Sequence, residues 1–186
     1  PASLKVACLL DKPSRAAAQL HHLPERGESR HCVLKGDFAL YDFIPAVIHL
    51  AGRPVDELVV ATLSLSKPNA EDLGRLMQAG QIKTMAILVS HYFSAAEKEI
   101  YDQIVEVCRA SGGKVVAMRT HAKVLLIAIG EHRLVVESSA NLRSCHNVEQ
   151  ATMFNDPGLF AFHREWMMHL IEQGEVHARK KAQAAG

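Results

Sequence analysis

Residues 120–150 read T-H-A-K-V-L-L-I-A-I-G-E-H-R-L-V-V-E-S-S-A-N-L-R-S-C-H-N-V-E-Q. Lys123 to Ile129 is an apolar, β-branched run, and Leu134 to Glu137 is a second. Between them Gly130-Glu131-His132-Arg133 is a turn signal, so the stretch predicts a β-hairpin. Residues two apart on a strand share a face, which sets His121 beside Lys123 at the hairpin's entry. The returning strand brings Ser138, Ser139 and Asn141 to the same end, and Glu149 follows on the next segment.

These groups suit one chemistry. The Lys123 ammonium and the Asn141 amide are donors for two oxygens of a phosphate. Ser139, with Ser138 beside it in the turn, adds a hydroxyl or a backbone N–H. A neutral His121 can attack phosphorus. A carboxylate such as Glu149 on the other ring nitrogen would hold the tautomer and stabilise the charged ring. Such a pocket contains its own nucleophile and needs neither metal nor cofactor. The competing interpretation is that His121, Lys123 and Asn141 are ordinary strand-end and turn residues.

His121-Ala122-Lys123, then Ser138-Ser139-Ala140-Asn141 and Asn147-Val148-Glu149-Gln150, resembles the H-x-K and G-S-x-N signature of the phospholipase D superfamily, with its later carboxylate. The single motif is similar to that of the short bacterial nucleases of this group. Two positions depart from the pattern: Ala128 stands where an aspartate usually follows the lysine by five residues, and Ser138 stands for a glycine. The resemblance implies a metal-independent phosphodiesterase, a nuclease on DNA or RNA, with a covalent phosphohistidine on His121. Lys123, Asn141 and Glu149 would complete the catalytic set, with Ser138 and Ser139 on the phosphate. It also implies two histidines per site. No other histidine here has a lysine two residues later, so a homodimer pairing two copies of His121 is expected. The alternatives are a nucleic-acid-binding module of the same fold without turnover, or a phospholipid-cleaving enzyme.

Working upstream, strand and helix patterns alternate. Leu4–Leu10 suggests a strand, and 11–36 an irregular insertion with one short helix. Asp37 is placed to cap a helix carrying Phe38, Tyr41, Ile44 and Ile48, kinked at Pro45. Strands follow at 57–63, 84–89 and 114–118. Asn69 with Asp72 resembles the start of one intervening helix, and Ser94-x-x-Glu97 a capping box for the next. Downstream, 148–154 suggests a strand, and Pro157 opens a helix bearing Phe160, His163, Trp166 and Met167. The expected fold is α/β: a mixed, mostly parallel sheet flanked by helices, a single phospholipase D-like domain over 1–173 with a flexible tail at 174–186.

Loop residues after strands 57–63 and 84–89 are further candidates, because ligands often bind at strand ends. Ser64 and Ser66 either line a cleft or cap a helix. His91 and Tyr92 either face substrate or pack as a loop, and Arg143 either contacts phosphate or stays solvated.

Composition narrows the field. The chain has 186 residues with 21 Lys plus Arg against 20 Asp plus Glu, a formal charge of +1, which argues against a histone-like basic chain. Any nucleic-acid surface must therefore gather its cations locally. No run approaches the ~20 apolar residues of a membrane span, so no membrane anchor is expected. The four cysteines form no C-x-x-C pair, which suits reduced thiols in the cytoplasm. There is neither a G-x-S-x-G nor a G-x-x-x-x-G-K-[ST] sequence.

Overall fold

The computed structural model describes residues 5–10, 15–36, 38–143 and 146–184. Asp37 and Cys145 lie outside the described residues. In chain order the elements are β1 (Lys5–Leu10), α1 (Ala16–Leu20), β2 (Ser29–Leu34), a 3-10 turn (Leu40–Asp42), α2 (Phe43–Ala51) and β3 (Glu57–Thr62). Then come α3 (Lys67–Gln78), β4 (Met85–Ser90), α4 (His91–Ala96), α5 (Lys98–Ala110) and β5 (Lys114–Met118). The hairpin β6 (Val124–Ile129) and β7 (His132–Ser138), β8 (Glu149–Asn155) and α6 (Pro157–Ala184) complete the chain.

The eight strands form one sheet in the order β1-β2-β8-β7-β6-β3-β4-β5. Three neighbouring pairs are parallel, β1–β2, β3–β4 and β4–β5. Four are antiparallel, β2–β8, β8–β7, β7–β6 and β6–β3. The expectation of a mostly parallel sheet is corrected accordingly. A hairpin inserted at the centre is antiparallel within itself, and here to each outer neighbour as well.

Strand alternation divides the core into two layers. Leu58 and Val60 of β3, with Leu125 and Ile127 of β6, pack toward the side holding α1 to α5. Val59, Ala61, Leu126 and Ala128 face the other side, where Phe160, Met167 and Ile171 of α6 close over them. The helix α6 crosses from β7 to β5. At its far end it comes so close that a Cβ on Gly174 would sit 2.1 Å from Val116 Cγ1. Lys114 pairs with Glu175 there at 3.4 Å, and the backbone stays helical to Ala184.

Several local expectations shift. Residues 11–36 hold a strand, β2, as well as α1. Pro45 is the third residue of α2, within the first turn, where its missing N–H costs no ladder bond. The cap of α3 is Ser66, whose Oγ accepts from Asn69 N at 3.4 Å, with Pro68 in the first turn. Ser90 caps α4, its Oγ accepting from Phe93 N at 3.0 Å, so Ser94 lies inside a helix. The hairpin turn is only Gly130-Glu131, with Gly130 at φ 56°, a left-handed conformation that glycine adopts without strain. No helix among the described residues is long and apolar enough to cross a membrane.

Candidate active site

The carboxyl ends of β3, β4 and β5 point the same way because these strands are parallel, and the loops leaving them meet at one edge of the sheet. A hollow of about 410 Å³ opens there, lined by Leu63, Ser90, His91, Tyr92, Arg119 and His121, among others. His121 lies in the connection from β5 to the hairpin. Lys123 precedes β6, and its carbonyl accepts from Ser138 N at 3.1 Å, one rung beyond the Val124–Glu137 pair. The hairpin therefore carries both ends of the motif to this edge, as its sequence predicts.

His121 and Lys123 are side by side. Lys123 Nζ donates to His121 Nδ1 at 3.1 Å and to the His121 carbonyl at 3.0 Å. A neutral imidazole accepting at Nδ1 carries its proton on Nε2. Burial lowers the Lys123 pKa below the ordinary lysine range, and the Glu149 charge opposes that shift.

The returning turn is tied down by its own serines. Ser138 Oγ donates to the Gln150 carbonyl at 2.7 Å and accepts from Ala140 N at 2.9 Å. A glycine there could do neither. Ser139 Oγ hydrogen-bonds Glu149 and accepts from Gln150 N at 3.0 Å. His121 Nδ1 thus faces Lys123, while Glu149 holds Ser139. Asn141 Oδ1 accepts from Leu63 N at 3.2 Å, which fixes the amide and directs its NH2 group elsewhere. Leu63 lines the hollow, whereas Asn141 is not among its lining residues and reaches it only through this bond.

Ala128 is at the opposite end of β6, paired with Glu57 and 6% exposed beneath α6. Five residues of strand, about 17 Å, separate it from Lys123. Its substitution therefore leaves the phosphate end untouched. The carboxylate at the Ala128 end is Asp56, whose Oδ2 accepts from Gly130 N at 2.9 Å and whose Oδ1 accepts from Lys83 at 2.6 Å.

The outer candidates separate. His91 and Tyr92 line the hollow with His121. Ser64 is buried at 6% exposure, Ser66 serves as the cap of α3, and Arg143 is ion-paired with Glu97. Arg119 and Thr120 also line the hollow and went unnoticed in the sequence, although they directly precede the motif. Thr62 is a hidden support: its Oγ1 accepts from Leu142 N at 3.2 Å, anchoring the turn after Asn141.

Among solved structures, the chain is similar to Nuc, a phospholipase D family member from Salmonella typhimurium, with a TM-score of 0.56 and 16% sequence identity over 79% of this chain and 96% of that one. The chain has a phospholipase D-like fold. The same phospholipase D-like arrangement aligns with phosphatidylserine synthase from Haemophilus influenzae Rd KW20, TM-score 0.50 and 12% identity, over 79% of this chain and 39% of the synthase. It also aligns with TrmBL2, an archaeal chromatin protein whose structure shows a novel mode of DNA binding, TM-score 0.50 and 15% identity, over 80% of this chain and 53% of TrmBL2. No protein-family model matches the sequence, and neither does any curated protein. At these identities the shared property is the fold.

Proposed function

We propose that this phospholipase D-like domain is a metal-independent phosphodiesterase, a nuclease that cleaves DNA or RNA through a covalent phosphohistidine in a homodimeric site. The observation that carries it is the contact of Lys123 Nζ with His121 Nδ1 at the edge where three parallel strands end. An arriving phosphate draws the Lys123 ammonium onto its oxygens. That frees Nδ1 to hold the proton and leaves the Nε2 lone pair for attack on phosphorus. Asn141 NH2 and the Ser139 turn bind the other oxygens. The P–O bond breaks as the P–N bond forms, and His121 of a second copy protonates the leaving oxygen. That histidine then takes a proton from water, whose oxygen displaces His121 from phosphorus and releases a phosphate monoester. Glu149, close enough for its charge to be felt at Lys123, stabilises the positive ring.

His121→Ala should abolish hydrolysis of a single-stranded oligonucleotide and of bis(p-nitrophenyl) phosphate without lowering the melting temperature. Activity should persist in EDTA. Undiminished turnover in the variant, or turnover that disappears with chelator, overturns the mechanism.

A second reading is a nucleic-acid-binding module without turnover. Ser138 favours it, because its hydroxyl already occupies the turn that would receive phosphate. A covalent adduct on His121, trapped from a phosphodiester analogue, selects the enzyme. Salt-sensitive binding with no adduct selects the module.

A further inference from the structure

A second hollow, of about 880 Å³, runs along β5, with contributions from Tyr101 and Arg109 of α5, Lys114 of β5 and His177 of α6. Because β5 ends the sheet, the floor of this hollow is a free strand edge. Its walls are helices on opposite faces: α5 belongs to one core layer and α6 to the other. His91 and Met118 line both hollows, so the edge groove opens into the His121 site.

Two arginines without an acidic partner lie along this path, a property they share with Arg15, Arg26 and Arg133 elsewhere among the described residues. Arg53, Arg75, Arg143 and Arg164 each pair with a carboxylate. Arg109 on the groove and Arg119 at the His121 end have no acidic partner among the described residues. Lys114 shares the groove with its partner Glu175. Beyond His177 the helical backbone continues through Arg179, Lys180 and Lys181. Aromatic surface accompanies the cations: Tyr101 lies in the groove, and Tyr92, at the site, is 73% exposed.

We propose that this edge groove carries the strand of a single-stranded polynucleotide away from the phosphate held at His121. Phosphates follow Arg119 and Arg109, and bases stack on Tyr92 and Tyr101. The inference rests on the nuclease reading of the His121 site and adds the strandedness and path of its substrate. Bases that stack on tyrosine rings must be unpaired, so this path suits a single strand and not a duplex. From Met118 back to Lys114 is about 13 Å of strand. At ~3.4 Å per stacked nucleotide, a substrate reaches Arg109 only when it extends about four nucleotides beyond the site.

The test uses the full chain carrying His121→Ala, with and without Arg109→Ala, and labelled oligonucleotides at 50 and 200 mM salt. Arg109 is exposed and its replacement should leave the melting curve unchanged. For a single-stranded dodecamer, Arg109→Ala should raise Kd about five-fold at low salt and flatten the log–log salt slope by about 0.7. Arg109→Lys should restore most of the loss. A trimer should be indifferent to the substitution, and a duplex of the same sequence should bind at least ten-fold more weakly than the single strand. The groove is refuted if the dodecamer fails to bind, ignores Arg109, loses no more than the trimer, or binds no better than the duplex. Salt-independent binding of phospholipid vesicles in place of oligonucleotide also refutes it. The nuclease reading is judged separately, by turnover of the dodecamer in the parent chain, with His121 and Arg109 both intact.

Discussion

Gly174 is where α6 comes down on β5, and the consequence of adding one methyl group there can be worked out. The new Cβ would lie 2.1 Å from Val116 Cγ1 and 3.3 Å from both Val116 Cβ and Cγ2. Carbon atoms rest at about 3.5–4.0 Å, so the first contact must open by about 1.5 Å. Val116 is 6% exposed and β-branched, which leaves its side chain little freedom to turn away. Overpacking of this kind costs about 1–3 kcal/mol. Replacing a mid-helix glycine with alanine returns about 1 kcal/mol of helix propensity. Gly174→Ala alone should therefore be neutral to about 2 kcal/mol destabilising. In a Val116→Ala background both γ-methyls are gone, and the remaining 3.3 Å contact needs only a few tenths of an ångström. There the same substitution should stabilise by about 1 kcal/mol. Urea unfolding of the four proteins of this double-mutant cycle, followed through the single tryptophan, Trp166 of α6, reads the coupling directly. Additivity within about 0.5 kcal/mol would show that the two residues do not collide and would refute the reasoning.

Burial raises the carboxyl pKa of Asp42 from 3.8 to about 6, despite the 2.6 Å hydrogen bond from Ala39 N. A raised carboxyl pKa means folding favours the protonated form, so this contribution is fully present below about pH 4 and is lost as pH rises through 6. Asp42→Asn should accordingly be more stable than the parent at pH 8, by on the order of 2 kcal/mol, and the difference should close between pH 6 and 4 in melts across that range. The buried pair of Glu28 and Arg30, 5% and 2% exposed and 3.2 Å apart, behaves differently. Glu28→Ala strands a guanidinium that also serves the Leu20 carbonyl, at an expected cost of about 3–5 kcal/mol. Adding Arg30→Met should recover most of that loss in urea midpoints; a further drop would contradict the assignment.

How much of this could be read from the chain depended on where the deciding interaction lay. Alternation from Val124 to Ile129 and from Leu134 to Glu137 is local, and the hairpin stands where it was expected. The sequence of β2, Ser29-Arg-His-Cys-Val-Leu34, hid its nature because Arg30 is buried as an ion and Val33 is exposed. Hydrophobicity misreports both positions. Sheet direction was illegible for another reason: β8 slots between β2 and β7, a pairing across more than a hundred residues that no local pattern encodes. At the site, the residue types and their order revealed the cluster. Polar partners were settled by the turn, as when Ser139 takes up Glu149. The caps show the same competition at short range: Ser66, not Asn69 with Asp72, opens α3, because Asn69 supplies the N–H that Ser66 accepts.

The place of β8 has a consequence for how the protein is made. The first two strands join the rest of the sheet only through the last one. During synthesis the β3–β7 block can pair as it emerges, but the inner edge of β2 must wait, unpaired, until residue 155 has left the ribosome. The open edge of β7 waits as well. An early-made edge and a late-made edge are thus bridged by one seven-residue strand whose first residue is Glu149. Closure of the sheet and arrival of Glu149 at the end of the hairpin become a single event.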